Sequence, residues 1–170
     1  MNQTFKHLLL LAPLALLPGW AKADHHSEVL YSKLVQPILN AKCVACHGAE
    51  KQKGKLRLDS FAEVMKGSDG ENVIPGKVVE SYMIERIDLP LDDDDHMPPE
   101  DEPQLTKQEI AVLKFWVQSG AKEAAKIGDL KPAADVTEAI KFVIANPPKG
   151  AASAAPAAVA KIDPAKQKLA

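Results

Sequence analysis

The apolar residues of this chain recur mainly every three or four positions, a spacing that places them on one face of an α-helix. This pattern predicts helices over 28–41, 78–87 and 136–145. A period of two is limited to a short extended piece at Leu56-Arg57-Leu58. The predicted fold class is therefore all-α.

Two further helices are marked by the residues that begin and end them. Ser60-Phe61-Ala62-Glu63 and Thr106-Lys107-Gln108-Glu109 are both capping boxes, in which the first and last side chains bond to each other's backbone N–H groups. Gly67 and Gly120 follow where glycine commonly ends a helix. We expect a short helix after Ser60 and a longer one after Thr106.

Other polar residues and prolines mark the ends of the remaining helices and a bend in the first one. Ser27 and Asp135 are the expected caps of the first and last helices, and Asn146-Pro147-Pro148 ends the last one. Pro37 predicts a bend in the first helix because it has no backbone N–H to donate. The side chains expected to face the core share the apolar faces of these helices: Val29, Leu30, Leu34, Ile38, Leu39, Val79, Met83, Ile84, Ile87, Ile110, Leu113, Trp116, Val117, Val136, Ile140, Val143 and Ile144.

The two ends of the chain have a different composition from the middle. Residues 1–23 have the features of a secretory signal peptide, namely Lys6, a short apolar run and Ala21-Lys22-Ala23 as a small-x-small cleavage site. An uncleaved anchor is the alternative, but the apolar run is short for a membrane span. Residues 149–170 are rich in Ala, Pro and Lys and are expected to be disordered. The expected organisation is a signal peptide (1–23), a core domain (24–121), a helical extension (122–148) and a tail (149–170).

Composition excludes several classes of protein. The 170 residues include only 2 Cys, too few for a disulfide-dense scaffold or a four-cysteine metal site. A net charge of −2 gives no basic surface for nucleic acid. No later segment is long and apolar enough to span a bilayer. Aromatic residues make up 5% of the chain, which suggests that something other than aromatic side chains fills part of the core.

The two cysteines lie in the sequence Cys43-Val44-Ala45-Cys46-His47, a pattern typical of c-type haem attachment. Two thiols can add across the two vinyl groups of one haem, and the adjacent His47 is then held beneath the iron as proximal ligand. Placement at the end of a helix brings these three side chains to one small patch. An exported protein is also the appropriate setting for this chemistry.

Three other interpretations of the cysteines remain open. A disulfide between Cys43 and Cys46 would close a very short loop and contribute little stability. A thioredoxin-like redox pair would need a βαβ context, which the sequence lacks. A zinc site would need further ligands, for which His96 is a candidate.

A sixth ligand for the iron is expected from the loop around Met97, which lies 50 residues after His47. Pro98 and Pro99 stiffen that loop, and a thioether ligand raises the reduction potential. His96 is adjacent and chemically able to replace it. The rigid Met97-Pro98-Pro99 sequence favours Met97, and an iron with His and Met ligands has no open position for oxygen or another gas.

The loop over 88–102 carries eight carboxylates and no Lys or Arg. These carboxylates are Asp88, Asp92, Asp93, Asp94, Asp95, Glu100, Asp101 and Glu102. A solvated surface loop is the simplest interpretation of such a run. A docking surface for a basic redox partner and a calcium site are the alternatives, although the run lacks the alternating EF-hand pattern.

Two smaller features suggest further contacts. Lys53, Lys55 and Arg57 form a basic segment, and Arg57 is the best candidate to bind a haem propionate because its guanidinium suits carboxylates. Cleavage before Asp24 would leave Asp24-His25-His26 at a new amino terminus, where an amine, backbone nitrogens and an imidazole can hold Cu(II) in a plane.

Several motifs occur along the chain in a fixed order: Gln36-Pro37-Ile38-Leu39-Asn40-Ala41-Lys42-Cys43-Val44-Ala45-Cys46-His47-Gly48, Lys53-Gly54-Lys55-Leu56-Arg57-Leu58-Asp59-Ser60, Ile74-Pro75-Gly76, Met97-Pro98-Pro99 and Trp116-Val117-Gln118-Ser119-Gly120-Ala121. Together they resemble the planctomycete-type cytochrome c domain family over about residues 29–121. The resemblance implies a cytochrome c-like helical fold around one covalent haem c, with Cys43 and Cys46 as thioether sites, His47 as proximal ligand and Met97 as distal ligand. Residues 122–170 lie outside it.

The expected function is that of a periplasmic mono-haem c-type cytochrome, which carries single electrons between redox proteins and is not an enzyme. Cleavage after Ala23 would release it in soluble form. A haem-based sensor from which Met97 dissociates is the alternative. A haem enzyme such as a peroxidase is disfavoured because the sequence shows no distal acid–base pair.

Overall fold

The computed structural model describes residues 25–68 and 71–150, and this part of the chain is helical without a β-strand. The all-α prediction is confirmed. The α-helices are α1 (Gln36–Lys42), α2 (Phe61–Lys66), α3 (Tyr82–Asp88), α4 (Lys107–Gln118) and α5 (Ala134–Ala145). Short 3₁₀ turns cover His25–Ser27, Lys53–Lys55 and Gly128–Leu130. The expected signal peptide and nearly all of the expected tail lie outside the described residues.

The first helical run changes from π-helix to α-helix just before Pro37. Tyr31–Val35 is a π-helical segment that leads directly into α1, and the Gln36 N–H donates to the carbonyl of Tyr31, five residues back. The wider turn accommodates a proline ring that would otherwise meet a carbonyl of the preceding turn. The predicted irregularity at Pro37 is thus present, but the helical run begins later than residue 28, and Ser27 ends a separate 3₁₀ turn instead of capping this helix.

The helices marked by capping boxes begin where the sequence predicts. The Ser60 hydroxyl accepts from the Glu63 N–H at 3.3 Å at the start of α2. At the start of α4, the Thr106 hydroxyl accepts from the Glu109 N–H at 3.1 Å, and the Glu109 carboxylate accepts from the Thr106 N–H at 2.7 Å. Side-chain caps therefore fixed these boundaries locally.

The predicted helix over 78–87 was wrong in its first turn. Helix α3 begins at Tyr82, and Val79, expected in the core, is 88% exposed. The cause is the buried Ser81, whose hydroxyl donates to the Lys77 carbonyl at 2.7 Å and accepts from the Ile74 N–H at 2.9 Å. These bonds hold the preceding residues in turns.

Helix α5 also starts differently from the prediction. Its N-cap is Ala133, and Asp135 lies inside the first turn, where a carboxylate still favours the positive end of the helix dipole. Its buried residues Ile140 and Val143 join the same apolar cluster as Leu113 and Val117 of α4. The C-terminal extension thus packs on the same core as the preceding residues.

An aromatic group lies at the centre of that core. Trp116 is 1% exposed, and its ring lies 5.3 Å from that of Tyr31, which in turn lies 5.1 Å from Phe61. The predicted place of Trp116 in the core is confirmed. The Trp116 indole N–H donates to the Lys122 carbonyl at 3.1 Å, which holds the chain just after the Gly120 turn (φ +93°) against α4.

None of the helices within residues 25–68 and 71–150 has the length and apolar character needed to cross a membrane.

Candidate haem site

A cavity of about 820 Å³ lies beside the helical core. Cys43, Cys46, His47 and Met97 all line it, so the fold brings the attachment motif to a residue 50 positions away. The apolar part of its wall consists of Leu56, Leu58, Met83, Ile87, Pro98 and Pro99. A mainly apolar cavity of this volume with a few convergent polar groups is typical of a cofactor site.

The two cysteines lie where α1 ends and the chain turns. The Cys43 N–H donates to the Leu39 carbonyl at 2.8 Å, and the N–H groups of Cys46 and His47 both donate to the Cys43 carbonyl, at 3.1 and 2.9 Å. The motif is therefore one tight turn. Gly48 completes it, because a β-carbon there would lie 2.6 Å from the Val44 carbonyl oxygen.

The Cys43 thiol is poorly suited to thiolate chemistry. Burial raises its pKa to about 12, and the nearby Lys42 opposes this only in part. The raised pKa disfavours the thiolate that a redox pair requires. Across residues 25–68 and 71–150, no three His, Cys, Asp or Glu side chains are grouped to hold a metal ion. The zinc and calcium alternatives therefore gain no support.

The imidazole of His47 is oriented by a backbone carbonyl. Its Nδ1 lies 3.0 Å from the Lys53 carbonyl oxygen, which can only accept, so Nδ1 carries the hydrogen. Burial lowers the pKa of His47, which favours the neutral ring. Nε2 then keeps its lone pair, the arrangement found in metal-ligating histidines with an outer hydrogen-bond partner.

The Met97 backbone is tied to α3. Its N–H donates to the Arg86 carbonyl at 3.0 Å, and the two following prolines line the cavity with it. His96, by contrast, is 9% exposed and is not among the described residues of the cavity wall. Its Nδ1 lies 2.9 Å from the Leu89 carbonyl and its Nε2 lies 3.0 Å from Gln104 Oε1. Coordination by His96 would have to break one of these contacts.

Arg57 is not brought to the cavity. Its guanidinium forms a bidentate pair with Asp59, at 3.0 and 2.6 Å, and Arg57 is absent from the described cavity wall although Leu56 and Leu58 belong to it. The hydrogen bond raises the pKa of Arg57 and lowers that of Asp59. The predicted role of Arg57 at a propionate therefore has no geometric support.

Three other cations do line the cavity, namely Lys42, Lys53 and Arg86. Arg86 pairs with Asp95 at 2.6 Å and lies 5.3 Å over the ring of the half-exposed Tyr82. Sequence reasoning missed Arg86. The available signal was its spacing, three residues after Met83 on the helix that supplies the cavity wall.

The acidic loop lies at one edge of the cavity. Asp95 and Glu102 line it, and Asp92, Asp93 and Asp94 are exposed. The basic residues Lys53 and Lys42 belong to the wall formed by the attachment segment. The described surface around the cavity is therefore positively charged near the attachment segment and negatively charged at the acidic loop.

The copper hypothesis involves Asp24, which lies outside the described residues. His25 and His26 belong to a 3₁₀ turn, and a β-carbon at Gly128 would lie 2.8 Å from His26 Nδ1. The imidazole of His26 is thus packed against the Gly128 turn. The copper site stays a prediction.

Comparison with known families supports the motif-based resemblance. A family model described as Planctomycete cytochrome C matches residues 43–101, a narrower span than the 29–121 suggested by motifs. The match includes Cys43, Cys46, His47 and Met97 and indicates haem-based electron transfer as the class of function. No curated protein matches the chain, and no solved structure does.

Proposed function

We propose that this protein is an exported c-type cytochrome that carries one haem and transfers single electrons between protein partners. The observation that carries the proposal is the convergence of Cys43, Cys46, His47 and Met97 on one cavity. The family match over 43–101 supports the same class of cofactor and chemistry.

The residues of the cavity fit a haem c. Cys43 and Cys46 would hold it through thioether bonds, and His47 Nε2 and the Met97 sulfur would bind its iron. When bound, the haem supplies an iron that cycles between ferric and ferrous states. The apolar wall restricts water around it, and the Lys53 carbonyl and the Arg86 carbonyl fix the two proposed ligand segments.

This arrangement favours a carrier over a catalyst. With both His47 and Met97 bound to the iron, no coordination site would be left for a substrate. A carrier also benefits from ligand segments that are held by the fold in both oxidation states, because little reorganisation then accompanies electron transfer. A sensor would instead need a mobile loop, so that Met97 could leave the iron.

The acidic segment would serve as a docking surface for a basic redox partner. The exposed carboxylates at 92–94 directly precede the cavity-lining Asp95 in the chain, and Met97 also lines the cavity, so a partner bound there would be close to the cofactor. Complementary charge raises association rates more than affinity, which suits transient contacts between carriers.

Export would follow from cleavage after Ala23, with the mature chain beginning at Asp24 and acting in the periplasm. Amino-terminal sequencing of protein recovered from the periplasm tests this directly. An intact Met1 on the exported protein would reject cleavage.

The central experiment is expression of the full chain together with cytochrome c maturation machinery, followed by haem staining of a denaturing gel. We expect a stained band at the position of the chain and none for the Cys43→Ala, Cys46→Ala double variant. Staining that survives in the double variant would disprove attachment at these cysteines. Rapid carbon monoxide binding by the reduced wild type would favour the sensor.

A further inference from the structure

The side chain of Gln104 lies at the centre of the hydrogen bonds that close the Met97 loop. Its Nε2 lies 3.1, 2.7 and 3.0 Å from the carbonyl oxygens of Pro98, Pro99 and Glu102, which share its two N–H donors. These three contacts fix the orientation of the amide, because only the nitrogen can donate to a carbonyl. Oε1 is thereby turned to His96 Nε2 at 3.0 Å.

The same residue joins the loop to the attachment helix. The backbone carbonyl of Gln104 accepts from Lys42 Nζ at 2.9 Å, and Lys42 directly precedes Cys43. At the other end, His96 Nδ1 contacts the Leu89 carbonyl at 2.9 Å, close to the start of the loop. A continuous set of contacts therefore runs from Lys42 through Gln104 and His96 to Leu89. An imidazole with one N–H donates to only one of the two oxygens that His96 faces.

These contacts replace regular structure in a segment that has none. Between the end of α3 and the start of α4, the described chain forms turns and no helix or strand. Pro98 and Pro99 have no backbone N–H to donate, so these two residues can be held through their carbonyls. Gln104 takes up both carbonyls with one amide.

We propose that Gln104 is a positioning residue that holds Met97 against the iron, with Lys42 and His96 as its supports. The proposal rests on the proposed function, because it takes Met97 as the distal ligand. Gln104 itself does not touch the iron. Loss of its side chain releases the Pro98 and Pro99 carbonyls next to Met97 and leaves the proximal side, with Cys43, Cys46 and His47, unchanged.

The test compares Gln104→Leu with the wild-type holoprotein and with Gln118→Leu, a matched change at an exposed glutamine of α4. In Gln104→Leu we expect a weaker long-wavelength ferric band, which reports the methionine–iron bond. We also expect imidazole to bind the ferric protein about tenfold faster or more, since loss of even one or two net hydrogen bonds changes an opening equilibrium by this factor. Gln118→Leu should match the wild type in both measurements.

Gln104→Glu provides a second variant if Gln104→Leu fails to yield folded holoprotein. Its carboxylate keeps an acceptor for His96 but has no N–H for the three carbonyls. It should show the same two changes. A ferric band and an imidazole rate equal to those of the wild type in either folded variant would overturn the role of Gln104.

Met97→Ala separates this inference from the proposed function. If Met97→Ala abolishes the ferric band while the Gln104 variants keep it, Met97 ligation stands and the positioning role is wrong. If Met97→Ala leaves the band unchanged, the assignment of the ligand itself is wrong, and the positioning role falls with it.

Discussion

His47 Nδ1 lies 3.0 Å from the carbonyl oxygen of Lys53. The contact depends on the backbone and not on the lysine side chain, and Gly54 (φ +61°) forms the turn that presents this carbonyl. No atom outside its immediate neighbours lies within 4 Å of a β-carbon built at Gly54, so a β-carbon there would strain the backbone without meeting a neighbouring atom.

Gly54→Val should therefore weaken the outer contact of His47. A β-branched residue at this φ costs about 1–2 kcal/mol, and the strained turn would shift the Lys53 carbonyl. A weaker hydrogen bond makes the imidazole a poorer donor to ferric iron, so we expect a higher reduction potential, measured by redox titration. Lys53→Ala keeps the carbonyl and should leave the potential nearly unchanged. A Gly54→Val potential equal to that of the wild type would show that the contact does not tune the iron.

Lys55→Gly tests the same turn by removing backbone strain, whereas Gly54→Val adds it. Lys55 also has a positive φ, of 58°, which a glycine adopts without strain. We expect thermal or denaturant unfolding to show stabilisation of up to about 1 kcal/mol. Destabilisation would mean that the lysine side chain makes a contribution larger than the strain.

Substitution of Met97 and His96 should have unequal effects. Met97→Ala should abolish the ferric methionine band, lower the reduction potential and permit carbon monoxide binding, because the thioether ligand stabilises ferrous iron. His96→Ala should weaken the band without abolishing it, because His96 contacts Leu89 and Gln104 and not the cavity wall. The reverse pattern in visible spectra would assign the ligand to His96.

Arg86 and Arg57 should differ in their influence on the haem. Arg86→Leu removes a cation from the cavity wall and leaves Asp95 unpaired. Loss of the positive charge stabilises ferric iron relative to ferrous iron, so the reduction potential should fall by about a few tens of millivolts. Arg57→Leu breaks only the pair with Asp59 and should shift the potential much less. A larger shift for Arg57→Leu in the same titration would restore Arg57 as the propionate contact.

The thiol of Cys43 should react slowly in the haem-free protein. With a pKa of about 12, only about one thiol in ten thousand is ionised at pH 8, and iodoacetamide alkylation should accelerate about tenfold per pH unit. Mass spectrometry of the Cys46→Ser variant isolates this reaction. In denaturant the same thiol should react far faster, and equal rates in the folded and unfolded chain would contradict its burial.

The same shift has a consequence for stability. The pKa of Cys43 is higher in the folded haem-free protein than its ordinary value of 9.0. The protonated Cys43 thiol therefore contributes its full stabilisation to the free energy of unfolding below about pH 9. This stabilisation is lost as the pH rises towards about 12. Denaturant midpoints measured across this window should fall more steeply for the wild type than for Cys43→Ala.

The acidic loop offers a test of partner docking. Asp92→Asn with Asp94→Asn removes two exposed charges and leaves the Arg86–Asp95 pair in place. We expect slower electron transfer to a basic redox protein by stopped flow, with a reduced dependence on salt. Asp129→Asn with Asp135→Asn makes the same change in net charge elsewhere on the surface. Equal rates for the two double variants would remove the docking role.

The sequence by itself determined the features that depend on near neighbours. The side-chain caps at Ser60 and Thr106 start their helices as predicted, and the reciprocal bond that completes a capping box is present at Thr106, because each needs only residues three positions apart. The attachment motif is likewise one turn of contiguous chain, and its identity as a cytochrome c feature agrees with the family match. The all-α class followed from the spacing of the apolar residues.

Only the tertiary structure decided which distant groups meet. The local spacing of Arg57 near Asp59 and of Arg86 near Met83 did not establish which guanidinium lines the cavity, because that depends on how distant segments fold together. Val79 fitted the helical period, but the hydroxyl of Ser81 formed bonds to Ile74 and Lys77 that replaced the helix start. The role proposed for Gln104 depends on carbonyls presented by a loop without regular structure and on Lys42, 62 positions away. Such contacts form only when distant parts of the chain fold together, and the spacing of apolar residues along the sequence does not predict them.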